Sequence, residues 1–477
     1  MTTASYRAPK LLINGQWREG RHKARHTIIN PANAQILDDL TLANEVDLND
    51  ALNASQAAFT VWRQTNAHER CEHLENGVRA MRENVERIAL LLTLEQGKPL
   101  AEARAECQMA AGLIKWYAEE ARRTYGRIIP ARLPNSRMEV QKHPVGPVAA
   151  FSPWNFPLVL SARKLGGALA AGCSIILKAA EETPASVAAM VECLNQALPA
   201  GVLQLVYGIP AEVSHSLIKS PLIRKVSFTG SVPVGRILAG LAAQNMKRIT
   251  LELGGHAPVI VCDDADLQRA VTLLVTQKFR NAGQACLAPT RFFIARSRYA
   301  EFIEAFQAAS LSLKMGSGTA HGTQMGPVAN ERRKAALQDL INRSVAAGAK
   351  CLSSAAPEEG CFIAPTILVN VTPNTPIMQE EPFGPIACMS PFDTLDEAIS
   401  RANQNAYGLA GYLFTDSASR IHAVAQKLEV GSLAINSINV SVPEAPFGGV
   451  KDSGYGSESG VEGMAAYLDS KFLHYVS

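Results

Sequence analysis

Apolar residues recur along this chain at two different periods. Leu74, Val78, Met81, Val85, Ile88 and Leu92 return three and four positions apart, which places them on one face of a helix. Gly97-Lys98-Pro99 ends that pattern. Pro99, with its fixed φ and no N–H to lose, suits the start of a further helix. An opening strand followed by long helices is therefore expected up to about residue 125.

From Gly146 the rhythm changes. Short apolar runs at 148–151, 173–178, 202–206, 225–228 and 249–251 predict strands, with helices over 158–171, 184–198 and 232–243 and a short one before 225. Strands that alternate with helices predict a doubly wound parallel sheet, an α/β fold. A second α/β segment is expected from about 255 to 432. A strand at 471–476 and one near 137–143 are expected to form a small β arm. Ligands bind doubly wound sheets at the carboxyl ends of the strands. Asn155, Lys178, Glu181, Gly230 and Glu252 all fall at or just after those ends, so topology alone brings them together.

Composition narrows the classes of function. The chain has 477 residues, 47% of them hydrophobic, and a net charge of +3. That allows two or three domains with large cores and gives no reason to expect a nucleic-acid partner. Nine cysteines occur with no CxxC pair or zinc spacing, so no metal site is expected, and packed thiols fit a reducing cytoplasm. The gently apolar run 165–177 is too short and glycine-rich to span a membrane, and no leader-like apolar stretch opens the chain. A soluble cytoplasmic protein is the expectation.

One cysteine stands in unusual surroundings. Cys286 closes Asn281-Ala-Gly-Gln-Ala-Cys286, where Gly283 lets the chain turn after a helix expected to end there. On a loop, backbone N–H groups can favour its thiolate, the nucleophilic form. Asn155 lies in Pro153-Trp-Asn-Phe-Pro157, where prolines fix the backbone and an amide can donate to a developing oxyanion. Glu252 precedes two glycines and can serve as a general base for water. The chain has no GxGxxG, but Gly230-Ser-Val-Pro-Val-Gly235 links a strand to a helix whose N-terminus can hold a pyrophosphate. A carboxylate such as Glu181 after a strand end can accept both ribose hydroxyls and would repel a 2′-phosphate, which favours NAD over NADP.

Six ordered runs carry a resemblance: PWNFP at 153–157, FTGS at 228–231, ELGG at 252–255, GQAC at 283–286, EEPFGP at 380–385 and PFGGVKDSGYG at 446–456. In these the chain resembles the aldehyde dehydrogenase superfamily, end to end. The resemblance implies that Cys286 attacks the aldehyde, that Asn155 and the Cys286 N–H hold the oxyanion, and that Glu252 activates water to release the acid from a thioester. It implies NAD binding through Trp154, Lys178, Glu181, Gly230, Ser231, Glu381 and Phe383. It also implies a cofactor domain of residues 1–122 and 144–254, a catalytic domain of 255–440, and an arm of 123–143 and 457–477 that joins subunits into a homodimer or homotetramer.

The substrate is read from two arginines. Asn155, Val159 and Arg163 follow at four-residue intervals, which puts Arg163 roughly 12 Å along a helix from Asn155. Arg291 lies five residues after Cys286. Two guanidiniums near the nucleophile point to an aldehyde with a distal carboxylate. The chain is similar to succinate-semialdehyde and 2-oxoglutarate-semialdehyde dehydrogenases, which implies that Arg163, Arg291 and Ser441 hold that carboxylate. It departs from many succinate-semialdehyde enzymes at Ala288, where they have a second cysteine, so a local disulfide switch is not available. The competing readings are a dehydrogenase for neutral or aromatic aldehydes, with both arginines structural, and a non-catalytic protein that keeps the fold.

Overall fold

Five strands between residues 148 and 252 lie side by side and parallel in one sheet: Val148–Phe151, Ile175–Lys178, Leu203–Val206, Lys225–Thr229 and Arg248–Glu252. Their spatial order is third, second, first, fourth, fifth, so the order reverses between the first and the fourth. Every residue of the first four is buried, as expected of a sheet covered on both faces. The computed structural model describes residues 6–477. The strand Leu11–Ile13 adds antiparallel beside Leu203–Val206, and Gly454–Tyr455 returns to the opposite edge beside Arg248–Glu252.

The helix Pro157–Ala171 is buried along its whole length. The helices Ala67–Glu83 and Leu100–Ala121 pack against it. The periodic run from Leu74 to Leu92 forms two helices, Ala67–Glu83 and Val85–Gln96, rather than one. Asn84 makes the break: its backbone leaves the helical region and its Nδ2 donates to the Ala80 carbonyl at 2.9 Å. A short polar side chain competes here for the carbonyls that would continue the helix. The apolar period survives because Leu74, Val78, Met81, Ile88 and Leu92 face the same core.

A second sheet runs Thr366–Val369, Ile386–Phe392, Pro289–Ala295, Ala257–Val261, Ala410–Phe414, Ser432–Ile435, all parallel, with Lys350–Ser353 antiparallel at one edge. It has its own hydrophobic core. Only Leu253, Gly254, Gly255 and His256 separate Arg248–Glu252 from Ala257–Val261. The carboxyl edge of the first sheet therefore faces the amino edge of the second. The three neighbouring strands Ile386–Phe392, Pro289–Ala295 and Ala257–Val261 carry Glu381, Cys286 and the glycine pair just upstream.

The C-terminal strand, Leu468–Val476, is longer than expected and pairs antiparallel with Ser136–Pro144 over its full length, with Arg127–Ile129 as third strand. Ile128, Phe472, Tyr475 and Val476 are exposed on this arm. No helix among the described residues is long and apolar enough to cross a membrane.

Candidate active site

Cys286 sits on the turn between a single 3-10 turn, Arg280–Gly283, and the strand Pro289–Ala295. The approach is tightly constrained. Asn281 and Ala282 have φ of 52° and 51°, a left-handed conformation that non-glycine residues hold only when their surroundings enforce it. Gly283 follows at φ 71°, and a Cβ there would lie 2.1 Å from the Gly384 carbonyl oxygen. The thiol is partly exposed where two cavities meet. Burial pushes its pKa up to about 12, against the pull of the Arg163 guanidinium. Desolvation thus opposes the thiolate that the loop's backbone donors favour.

The first cavity, of about 510 Å³, opens along the carboxyl edge of the first sheet. Trp154, Gly230, Ser231, Gly254, Glu381 and Phe383 line it together with Asn155 and Cys286. Trp154 and Phe383 meet edge to face at 5.7 Å. The helix Val232–Gln244 begins at Ser231, which makes no side-chain cap bond. Its first N–H groups are thus available to an anion. Glu381 accepts from the Gly255 N–H at 3.1 Å. It lies so close to Gly254 that a Cβ there would come within 2.3 Å of its carboxylate. Burial raises Glu381 to about 7. Lys178 and Glu181 lie off this cavity, at the end of the adjacent strand. Lys178 Nζ donates to Glu181 Oε2 at 2.6 Å, and the Gly208 N–H donates to Oε1 at 3.0 Å. An open helix N-terminus, a close-approach glycine and acceptors for hydroxyls together fit a dinucleotide.

The second cavity, of about 320 Å³, reaches Cys286 from the other side. Phe156, Val159, Leu160, Leu287 and Phe447 give it apolar walls. Arg163 and Ser441 line it, and Arg163 Nη2 donates to Ser441 Oγ. Arg163 is 2% exposed, and its Nε and Nη1 are buried with no hydrogen-bond partner. Buried guanidinium N–H groups normally find acceptors; these two have none.

Arg291 does not join this site. Its side chain donates to the carbonyls of His256 at 2.9 Å, Arg401 at 3.3 Å and Ala402 at 2.9 Å. It lies within the strand Pro289–Ala295 and lines neither cavity. Burial lowers its pKa to about 10. The second cation of the cavity is Arg280, six residues before Cys286, whose guanidinium lies 4.9 Å from the Phe156 ring centroid. The sequence signal was available: Arg280 closes the helix that leads into the Cys286 turn.

Glu252 closes the strand Arg248–Glu252 and is 2% exposed, with both carboxylate oxygens unpartnered. It lines neither cavity. Burial and the neighbouring Glu458 raise its pKa well above the usual range, with Arg163 and Lys164 opposing. Lys164 Nζ donates to Glu458 Oε1 at 2.6 Å and to Thr229 Oγ1 at 2.7 Å. Sequence reasoning missed Lys164 and Glu458, which lie 294 positions apart. Among the described residues no cluster of three or more His, Cys, Asp or Glu could hold a metal ion.

This arrangement suits a thiol that adds to a carbonyl between a dinucleotide and a substrate with an anionic end. The chain is 70% identical over 477 residues, the whole of both chains, to the 4-(hydroxymethyl)benzenesulfonate dehydrogenase TsaD1 of Comamonas testosteroni. It is 42% identical to a glutarate-semialdehyde dehydrogenase of Pseudomonas putida, over 97% of this chain and 96% of that one. A crystal structure of an E. coli NADP-dependent enzyme superposes with a TM-score of 0.96 at 40% identity, covering 98% of both chains. The aldehyde dehydrogenase family pattern matches residues 17–473, and this chain is a member of that family, an aldehyde dehydrogenase.

Proposed function

We propose that this enzyme oxidises an aldehyde whose far end carries a carboxylate or sulfonate. The observation that carries the reading is Arg163, with two unpartnered N–H groups at the wall of an apolar cavity that ends at Cys286. Arg280 adds a second cation, and Ser441 helps aim Arg163. An aromatic spacer between aldehyde and anion is favoured by the walls of Phe156, Val159, Leu160 and Phe447 and by the 70% relative named for a benzenesulfonate. That name describes an alcohol; a thiol adds to a carbonyl and not to a carbinol carbon, so the form proposed here is the aldehyde. A dicarboxylic-acid semialdehyde is the second reading, supported by the glutarate-semialdehyde relative.

Cys286 gives up its thiol proton to water, Sγ adds to the aldehyde carbon, and loss of hydride from that carbon leaves a thioester on Sγ. The Asn155 amide and the Cys286 N–H receive the oxygen as it gains charge. Asn155 Nδ2 now donates to the Gln284 carbonyl at 3.1 Å and exchanges that acceptor for the substrate oxygen. A nicotinamide dinucleotide bound in the first cavity would supply the hydride acceptor. Ser231 and the helix behind it hold its pyrophosphate, Glu381 a ribose, and Trp154, Gly230 and Phe383 shape the groove. Lys178 and Glu181 hold the adenosine ribose, and the fixed Glu181 carboxylate disfavours a 2′-phosphate, so NAD is the proposed cofactor. Glu252 turns toward Cys286 and takes the proton of the water that releases the acid from Sγ. The exposed apolar arm pairs with a second copy to give a dimer or tetramer.

The test is initial rates of NADH formation with 4-formylbenzenesulfonate, succinate semialdehyde and benzaldehyde. A kcat/KM for either anion above that for benzaldehyde supports the anion pocket, and the ratio of the two anions names the spacer. Equal values for benzaldehyde make the arginines structural.

A further inference from the structure

Beneath the oxyanion site lies a buried polar cluster that the steps above leave unused. The side chains of Lys98 and Glu106 are fully buried and meet at 2.5 Å. Lys98 Nζ also donates to the Asn155 carbonyl oxygen at 2.8 Å and lies 4.0 Å from the Phe156 ring centroid. Glu106 Oε1 accepts from the N–H groups of Leu158 and Val159 at 2.9 and 3.4 Å, at the start of the helix that carries Arg163. The Asn155 carbonyl takes a second bond, from Asn281 Nδ2 at 2.8 Å. Asn281 Oδ1 accepts from Gln96 Nε2 at 2.8 Å, and Gln96 Oε1 accepts from the Lys98 N–H at 3.0 Å. The ring closes on itself, holds the Asn155 peptide and, through Asn281, reaches the Gln284 carbonyl in the turn that leads to Cys286.

We propose that Lys98, braced by Glu106, is a positioning residue for the oxyanion site: it fixes the Asn155 peptide and, through Asn281, the turn that carries Cys286. A buried ion pair is a poor source of stability compared with apolar packing, so its placement against one carbonyl calls for another reason. A carbonyl held by a cation and an amide together keeps its peptide from rotating, and the Asn155 side chain starts from a fixed Cα. Asn281 holds a left-handed backbone that outside bonds must enforce, and its side chain supplies two of them. Small displacements of such donors are felt in rate before they are felt in binding.

The inference rests on Asn155 as oxyanion donor, so the test separates the two. Acylation by 4-nitrophenyl acetate needs no dinucleotide. Cys286 thiolate attacks the ester carbon, 4-nitrophenolate leaves with the electron pair of the broken bond, and an acetyl thioester remains. The variants are Lys98→Met, Lys98→Met with Glu106→Gln, Asn155→Ala, and all three together. In the Lys98/Glu106 pair, acylation falls about 10- to 100-fold. Alkylation of Cys286 by iodoacetamide, which forms no oxyanion, and the dissociation constant for NAD, read by tryptophan fluorescence, stay within about 3-fold. The loss disappears in the Asn155→Ala background. Unchanged acylation in the pair, with Asn155→Ala slow, overturns the inference alone. Asn155→Ala as fast as wild type overturns the oxyanion reading beneath it. Alkylation falling in step with acylation makes Lys98 merely structural and also overturns it. Gln96→Met, on the far side of the ring, serves if the Lys98 variants do not fold; unchanged acylation there is equally fatal.

Discussion

The guanidinium of Arg163 lies 3.9 Å from the centre of the Phe447 ring, face on. The ring supports the cation by its quadrupole without using any of its N–H groups. Two of those groups remain for an incoming anion. Arg163→Met should raise KM for an anionic aldehyde by about 100-fold or more, since hydrogen bonds between charged groups are each worth about 1.5–3 kcal/mol. KM for benzaldehyde should change little. Steady-state rates with both substrates check this, and equal losses for the two would refute the pocket.

Arg291→Met should behave in the opposite way. The lost contacts are three backbone carbonyls of the second sheet's surroundings, not a ligand. Stability should fall by roughly 2–4 kcal/mol, seen as a lower denaturant midpoint, while KM of the folded fraction stays near wild type.

Burial and Glu458 raise the pKa of Glu252 well above the usual carboxylate range, and only its ionised form can take a proton from water. The hydrolytic step should therefore quicken as pH rises. Glu458→Gln removes a neighbour that raises Glu252, so the same rise should occur at lower pH. Glu252→Gln should leave a first-turnover burst of NADH and slow every later turnover by about 100-fold or more. Stopped-flow traces across a pH series separate these outcomes.

Lys278 is fully buried, its Nζ has no partner, and burial lowers its pKa to about 7 from 10.5. Between those values the unfolded chain keeps a proton that the folded one has lost, so this lysine's penalty shrinks as pH rises through that window. Lys278→Met should stabilise the protein most below about pH 7, by at most about 5 kcal/mol. The gain should fade toward pH 10. Thermal midpoints at several pH values test the sign; a gain that grows with pH would contradict it.

Glu181→Ser removes the carboxylate that Lys178 and Gly208 fix in place. The ratio of kcat/KM for NADP to that for NAD should rise by about 10-fold or more. A ratio unmoved by the substitution would place cofactor choice elsewhere.

Strand–helix alternation made the first sheet legible, because strands buried on both faces are rich in Val, Ile, Leu and Phe and are separated by helix-length segments. Val148–Phe151 appears in sequence as a plain apolar run, whereas Lys225–Thr229 reads KVSFT and is recognised by its place between helices. Asn84 was not legible: one local bond to a carbonyl outweighs an unbroken apolar period. Arg291 was read as a cation near Cys286 and Arg280 was passed over, because spacing along the chain cannot say which way a side chain leaves its backbone. Arg291 sits inside a strand and Arg280 at the start of the turn, and only the second reaches the cavity. Lys164 with Glu458, and Lys98 with Asn155, come from distant segments, and no local pattern announces contacts of that kind.

The two cavities share Asn155, Leu160 and Cys286 and little else. On the proposed assignment, substrate and dinucleotide enter by separate doors and meet at one sulfur. A mutation at the Arg163 door alters what is admitted there while leaving the other door's furniture in place. An enzyme built this way can change its diet without relearning its chemistry, and libraries confined to the walls around Arg163, Arg280 and Ser441 are where a new aldehyde should be sought.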